Sequence, residues 1–299
     1  MGSSGGFDVH SVTAPEPGPR VVVLGGVHGD ETEGVLAAGR LASDPPQLER
    51  GRLDIVVVTH EAAFAEDSRT SPVDGLNLAR VFPGDPGGEP TSRLAHLLYR
   101  EVLEGADLLV DLHTSGSHYD MPFLAGYGGG PGDGVTLRAR AAHAFGAEFV
   151  WRHPGRSEGR TVSVVEQAIY VESRGSGRTN PDAVAAYHRG VLAVLAMLGS
   201  IAGVVARVGP PPVLVTGGGN LDRDMLSVPC GGVFLTTLMP GDAVAGGAVL
   251  GTVVDRFGVV LAELVASSPG RVMALKSRSR VSTGDLVICL ATEDTDSPL

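Results

Sequence analysis

Cysteine is nearly absent: Cys230 and Cys289 are the only two in 299 residues, both late in the chain and in apolar surroundings. They can build neither a disulfide framework nor a cysteine-rich metal site, so any metal must rest on histidine and carboxylate. Positive charge is also short. With 23 Lys and Arg against 34 Asp and Glu, the formal net charge is −11. A phosphate backbone is held by clustered cations, so nucleic acid is excluded as the main partner. Long apolar runs are missing too. "VVVLGG", "DIVVVTH" and "ADLLVDLH" break at Gly or charge well short of the roughly 18 to 20 residues that a membrane-spanning helix needs, so no membrane partner is expected. The first residues, "MGSSGGFDVHSV", carry neither the basic nor the apolar segment of a secretory signal, and Gly6 stands where a myristoylation motif has Ser or Thr. The expected compartment is the cytoplasm.

What the chain does have is core material. It is 43% hydrophobic, with a mildly positive mean hydropathy, enough for one large domain or two smaller ones. From Val21 to about Ser200, strand-like stretches ("RVVVLGG", "LDIVVVT", "DLLVDLH", "AEFVWRH", "AIYVES") alternate with stretches of helical periodicity ("ETEGVLAAGRLAS", "TSRLAHLLYREVLE", "GVTLRARAAHAFG", "PDAVAAYHRGVLAVLAMLGSI"). That alternation predicts an α/β sandwich with a mostly parallel central sheet, whose ligands bind beyond the carboxyl ends of the strands. Past Ala202, short Val-rich strands separated by Gly and Asp predict a small β-barrel or sandwich. We place the boundary in the stiff Val205–Pro212 stretch, giving an α/β domain over 1–204 and a C-terminal β-domain over 205–299. The tail "TEDTDSPL" is expected to fray.

The strand ends carry the chemistry. His28 and Glu31 follow the first strand as H-x-x-E, and His113 follows the third in "LLVDLHTS". H-x-x-E alone is a weak signal, since a loop histidine is more often solvated than ligating. If the strands are parallel, however, the three side chains open on one edge of the sheet, as two near ligands and one remote. Catalytic zinc takes such a set and keeps a fourth position for water. His10, His60, His96, His143, His153 and His188 have no acidic neighbour placed this way, and His118 reads as structural. Asp111, two residues before His113, either orients an imidazole through its second nitrogen or caps a turn. Glu172 emerges from the apolar run "AIYVES". A carboxylate there is expensive unless it serves an ion pair, with Arg174 or Arg178, or proton transfer; beside a metal, one glutamate can act as both base and acid. Arg69, Asn77 and Arg80 lie in "SRTSPVDGLNLARVFPGDPGG", too irregular for core and too specific for a linker. Guanidinium groups there can polarise a carbonyl or hold a carboxylate bidentately, or can be surface charges.

"GYGGGPGDG" and "VTGGGN" invite phosphate-loop readings, but neither has the strand, spacing and following helix such a loop needs. Lys276 in "MALKSR" lacks the tight hairpin of a lipoyl or biotinyl carrier.

In order, "GGVHGDETEG", "RTSPVDGLNLARVFPG", "VDLHTSG" and "YVESRGSG" resemble the succinylglutamate desuccinylase/aspartoacylase family, relatives of the zinc carboxypeptidases, and the Gly-rich β segment after Ala202 is similar to its C-terminal β-domain. The resemblance covers about Val21 to Ala291. It implies a zinc-carboxypeptidase-like sandwich and one zinc per chain held by His28, Glu31 and His113. It further implies Glu172 as general acid/base, Arg69 stabilising the oxyanion, and Arg80, with Asn77 in the same loop, binding substrate. One position departs. The family carries Asn immediately before the carboxylate-binding arginine, and Ala79 here removes a donor.

The expected function is therefore zinc-dependent removal of a small acyl group, acetyl or succinyl, from the nitrogen of an amino acid or related metabolite. The partner is a small-molecule N-acyl substrate, and assembly into a homo-oligomer stays open. A metallocarboxypeptidase acting on a peptide is the second reading. A non-catalytic metal- or ligand-binding protein is the third, and the full ligand set with Glu172 argues against it.

Overall fold

The computed structural model describes residues 2–4, 6–129, 135–155, 158–175 and 177–295. Residues 130–134 of "GYGGGPGDG" and 296–299 of the tail expected to fray lie outside them. The first two thirds of the chain comprise β1 (Gly2–Ser4), β2 (Phe7–Thr13), β3 (Glu16–Gly25), α1 (Thr32–Ser43), β4 (Arg50–Val56), α2 (Glu61–Ala65), α3 (Pro90–Leu98), β5 (Leu108–Leu112), β6 (Tyr119–Asp120), β7 (Leu124–Gly128), α4 (Leu137–Phe145), β8 (Phe149–His153), β9 (Ala168–Glu172) and α5 (Pro181–Met197). The remainder is β10 (Val213–Thr216), β11 (Leu226–Ser227), β12 (Gly232–Leu235), β13 (Ala243–Val244), β14 (Val249–Val254), β15 (Val260–Val265), β16 (Gly270–Lys276), β17 (Arg280–Val281) and β18 (Leu286–Glu293).

The central sheet runs β1-β2-β4-β3-β5-β9-β7-β8-β10 and continues through β18, β16 and β13. β4, β3, β5 and β9 are mutually parallel, as are β7, β8 and β10; the two blocks meet antiparallel at β7 and β9. The run Val21–Leu24 is fully buried because both faces are covered, as parallel strands require. Val21 and Val23 pack with Ala37, Leu41 and Tyr187 beneath α1 and α5. Val22 and Leu24 pack with Leu98 and Val102 on the other face. The expected helices form, α5 with Asn180 capping Asp182 and Ala183 and Pro181 in its first turn. A π-turn over Tyr99–Leu103 extends α3.

Four strands of the first two thirds, β1, β2, the two-residue β6 and β7, were not anticipated. β1 and β2 add an antiparallel edge, and β7 is written in "LAGYG", where glycine weakens the strand signal. Beyond Met197 there is no helix among the described residues. β12, β14, β15 and β17 form a separate antiparallel sheet, whereas β10 lies in the central sheet beside β8. β6 pairs with β16 and brings the C-terminal segment over one face of that sheet. Lys276, in β16, pairs with Asp285 at 3.2 Å.

α1 lies so close to the sheet that a Cβ on Gly34 would stand 2.4 Å from the Leu112 carbonyl oxygen, a backbone atom. Five residues on, Gly39 has only Val57 Cγ1 at 3.7 Å. The two glycines of one helix should therefore respond oppositely to the same change. Gly34→Ala is expected to lower stability by about 1 to 3 kcal/mol, and Gly39→Ala to raise it by about 0.5 to 1 kcal/mol through helix propensity. Urea denaturation of both variants checks this.

Candidate active site

Register brings the motifs together. Gly25 of β3 lies opposite Leu112 of β5, and Leu112 opposite Val171 of β9, so the chain leaves all three strands at one level. Gly26 turns the chain at φ 63° and Gly29 passes against Ala63, whose carbonyl oxygen lies 2.0 Å from where a Cβ would be. Only glycine fits beside His28 there. Glu31 precedes α1 and makes no capping bond, which leaves its side chain to turn inward. Tyr187 of α5 donates to the His113 carbonyl. His28, Glu31 and His113 are all buried.

The carboxylate of Glu31 joins the two imidazoles. His28 Nδ1 lies 2.8 Å from Oε1 and His113 Nδ1 2.8 Å from Oε2, and the three ligand atoms fall within 4.8 Å of one another. The opposite ring nitrogens are held from outside. Asn77 Oδ1 accepts from Ala79 N at 2.9 Å, which fixes the amide's orientation, and stands 3.0 Å from His28 Nε2. An amide oxygen only accepts, so Nε2 carries the proton and Nδ1 turns a lone pair toward Oε1. Two lone-pair-bearing atoms at that distance require a positive charge beside them. Asp111 Oδ2 stands 3.0 Å from His113 Nε2 without hydrogen-bond alignment. Burial pushes the His28 pKa down. His113 is buried as well, yet Asp111 and Glu31 outweigh this and hold it well above the usual histidine value. Glu31 is drawn well below the carboxylate range by the two imidazoles, against the effect of burial. Two imidazoles and one carboxylate with orienting partners behind them fit zinc with an open position.

Glu172 opens onto the same cavity, but its Oε2 is sealed from solvent and has no hydrogen-bond partner. Burial first, then the charge of Glu31, raises its pKa to about 8. The ion pair with Arg174 does not form; Arg174 turns to Asp120 at 3.8 Å.

Arg69 donates to Glu31 Oε1 at 2.8 Å, with the same nitrogen 3.3 Å from His28 Nδ1, so its cation stands where the three ligand atoms meet. Asn77 contacts His28 and caps the turn Leu78–Arg80. Arg80 lines the cavity and pairs with Asp222 of the C-terminal segment at 3.1 Å. The cavity, about 130 Å³, spreads from the strand ends over the sheet face beneath residues 218–224. The sequence reading missed Arg160, Tyr170 and His153 in its lining. Arg160 is largely buried and close enough to Arg80 that, after burial, the second guanidinium depresses its pKa. Nothing in local spacing marks these residues, because a loop, a mid-strand position and a strand of the opposite block supply them.

Residues 17–198 match the family described as succinylglutamate desuccinylase/aspartoacylase catalytic domain. The chain belongs to that family. A Halomonas elongata relative named N-alpha-acetyl-L-2,4-diaminobutyric acid deacetylase is 30% identical over 289 residues, 92% of this chain and 82% of its own length. The crystal structure of a succinylglutamate desuccinylase/aspartoacylase from Rhodobacter sphaeroides superposes with a TM-score of 0.85 at 32% identity, covering 96% of this chain and 88% of that one. The product-bound ectoine utilization protein EutE (DoeB) from Ruegeria pomeroyi gives 0.83 at 28% identity, covering 95% and 88%. Family membership makes this chain a hydrolase of the N-acyl amino acid deacylase class.

The raised pKa of Glu172 has a measurable sign. Between an unfolded value of 4.5 and a folded value of about 8, the native state keeps a proton that the unfolded chain has released. Stability therefore falls as pH rises through that window. In chelator-treated protein, Glu172→Gln should flatten this fall by an amount on the order of a few kcal/mol, read by urea denaturation at pH 5 and pH 8.

Proposed function

We propose that the protein is a zinc-dependent deacylase that removes a small acyl group, of acetyl type, from the nitrogen of an amino acid or related metabolite. The observation that carries this reading is the convergence of His28 Nδ1, His113 Nδ1 and the Glu31 carboxylate beside a second, unpaired glutamate in one cavity. The Halomonas relative, a deacetylase by name, supports the acetyl assignment. The cavity volume of about 130 Å³ suits a small N-acyl compound better than a peptide.

His28, Glu31 and His113 would hold zinc, which would supply Lewis acidity and lower the pKa of nearby water. The chain does the rest. Arg69, with its guanidinium at the ligand set, stabilises the oxygen on which charge develops, a contribution often worth about 3 to 4 kcal/mol per donor. Glu172 takes the proton of the attacking water on its carboxylate and returns it to the leaving nitrogen. Arg80 and Arg160, close together in the lining, hold a substrate carboxylate; the second guanidinium offsets the donor missing at Ala79. Asn77 orients His28. Asp222, already paired with Arg80, yields that arginine when an anion enters.

Metal analysis after zinc incubation should give about one zinc per chain, lost in His113→Ala. Glu172→Gln should keep the zinc while kcat on N-acetyl amino acids falls roughly 100-fold or more. A wild type that deacetylates without metal would overturn the mechanism. Separately, Arg80→Ala and Arg160→Ala should each raise KM for carboxylate-bearing substrates by roughly ten- to hundredfold, the range of a charged hydrogen bond. Carboxamide analogues should be affected far less in both variants, and steady-state kinetics on matched pairs decides it.

A further inference from the structure

We propose that Tyr170 determines specificity: its hydroxyl, held by His153, turns only lone pairs to the cavity and selects substrates with an N–H donor, amine or amide, beyond the scissile bond. Residues opposite one another in a sheet share a face. Asp111 of β5, Tyr170 of β9, Gly126 of β7 and Trp151 of β8 form one such row. The missing side chain at Gly126 is what admits the tyrosine ring, since a Cβ there would stand 2.2 Å from it. On the other side, Gly219 (φ 102°) leaves room for His153, whose Nδ1 lies 1.9 Å from where a Cβ would be. The two glycine-rich stretches that make no phosphate loop thus seat a pair of rings, Tyr170 and His153, with centroids 5.5 Å apart.

The direction of the hydrogen bonds follows from the partners. His153 Nδ1 lies 3.3 Å from the Gly218 carbonyl oxygen, which can only accept, so the ring proton is on Nδ1. Burial holds this imidazole neutral, its pKa pushed down to about 4. Nε2 is therefore bare and accepts the proton of the Tyr170 hydroxyl. A phenol has one proton to give, and here it is committed. Toward the cavity the oxygen can only accept; Asp224 on the same wall is already bonded to the Asn220 amide at 2.9 Å and paired with Arg223, and Arg160 is the cation that acts on the hydroxyl. The hydroxyl lies across Gly126 of β7, and Glu172, two residues on along the same face of β9, and Arg160 are both near enough for their charges to act on it. It therefore faces the part of a small substrate that lies between Glu172 and the carboxylate held by Arg80 and Arg160.

The inference rests on reading the cavity as the acyl-amine site, so the test reads binding and hydrolysis separately. Three amino acids that differ only at the end of a two-carbon arm, 2,4-diaminobutyrate (ammonium), norvaline (methyl) and glutamate (carboxylate), are titrated calorimetrically into the zinc-incubated protein. The wild type should bind diaminobutyrate about ten- to hundredfold more tightly than norvaline. Tyr170→Phe, which keeps the ring, should bring the two within about threefold. His153→Leu frees the hydroxyl proton for the cavity, so glutamate should gain on diaminobutyrate; a merely structural role would weaken all three alike. A wild type without the preference, or a Tyr170→Phe protein that keeps it, overturns the proposal. Retained preference with no hydrolysis of any N-acetyl form would overturn the deacylase reading and leave this one standing.

Discussion

The site depends on a buried negative charge. Glu31 has both carboxylate oxygens engaged, Oε1 with His28 and Arg69, Oε2 with His113 and the Thr114 amide. Asp111 and Glu172 bring two more carboxyl groups to the same cavity, each with a buried oxygen lacking a hydrogen-bond partner. Taking carboxylates out of water is tolerated only where cations or hydrogen bonds answer them. Arg69 and the imidazoles answer Glu31 and Asp111 but leave Glu172 without a partner, and the lone pair that His28 Nδ1 turns inward says where further positive charge fits. A divalent ion suits the site for the same reason that makes Glu172 hard to ionise without one.

The sheet sets that charge in place. Equal strand levels at Gly25, Leu112 and Val171 depend on backbones approaching within contact distance, at Gly29 against Ala63 and at Gly34 against Leu112. The glycines of "GGVHGDETEG" thus shape the buried group without touching it: a side chain at either position would lift His28 and Glu31 away from His113.

The convergence of His28, Glu31, His113 and Glu172 on one cavity was legible in the sequence because each follows or ends a strand whose apolar run is unmistakable, and parallel pairing turns strand ends into neighbours. Their order along the chain sufficed. Asn77 was read as a substrate contact; its oxygen instead meets an imidazole and a backbone amide, a distinction that only distance reveals. Arg160, His153 and Tyr170 stayed hidden for another reason. They meet through the antiparallel seam between β9 and β7, and β7 itself was masked by the glycines that make room for Tyr170. The composition that admits the ring also erases the periodicity that would announce the strand.

Arg80 and Asp222 face each other from positions 142 residues apart, one in the loop that also orients His28, the other in the segment roofing the cavity. The wall of the cavity is thereby shared between the loop beside the histidines and a segment far along the chain. Residues 218–224 line the cavity without touching His28, Glu31 or His113, so a substitution there changes the wall and leaves that group in place. Such a layout lets the shape of the cavity drift by single substitutions while the buried histidines and carboxylates stay where the strands put them.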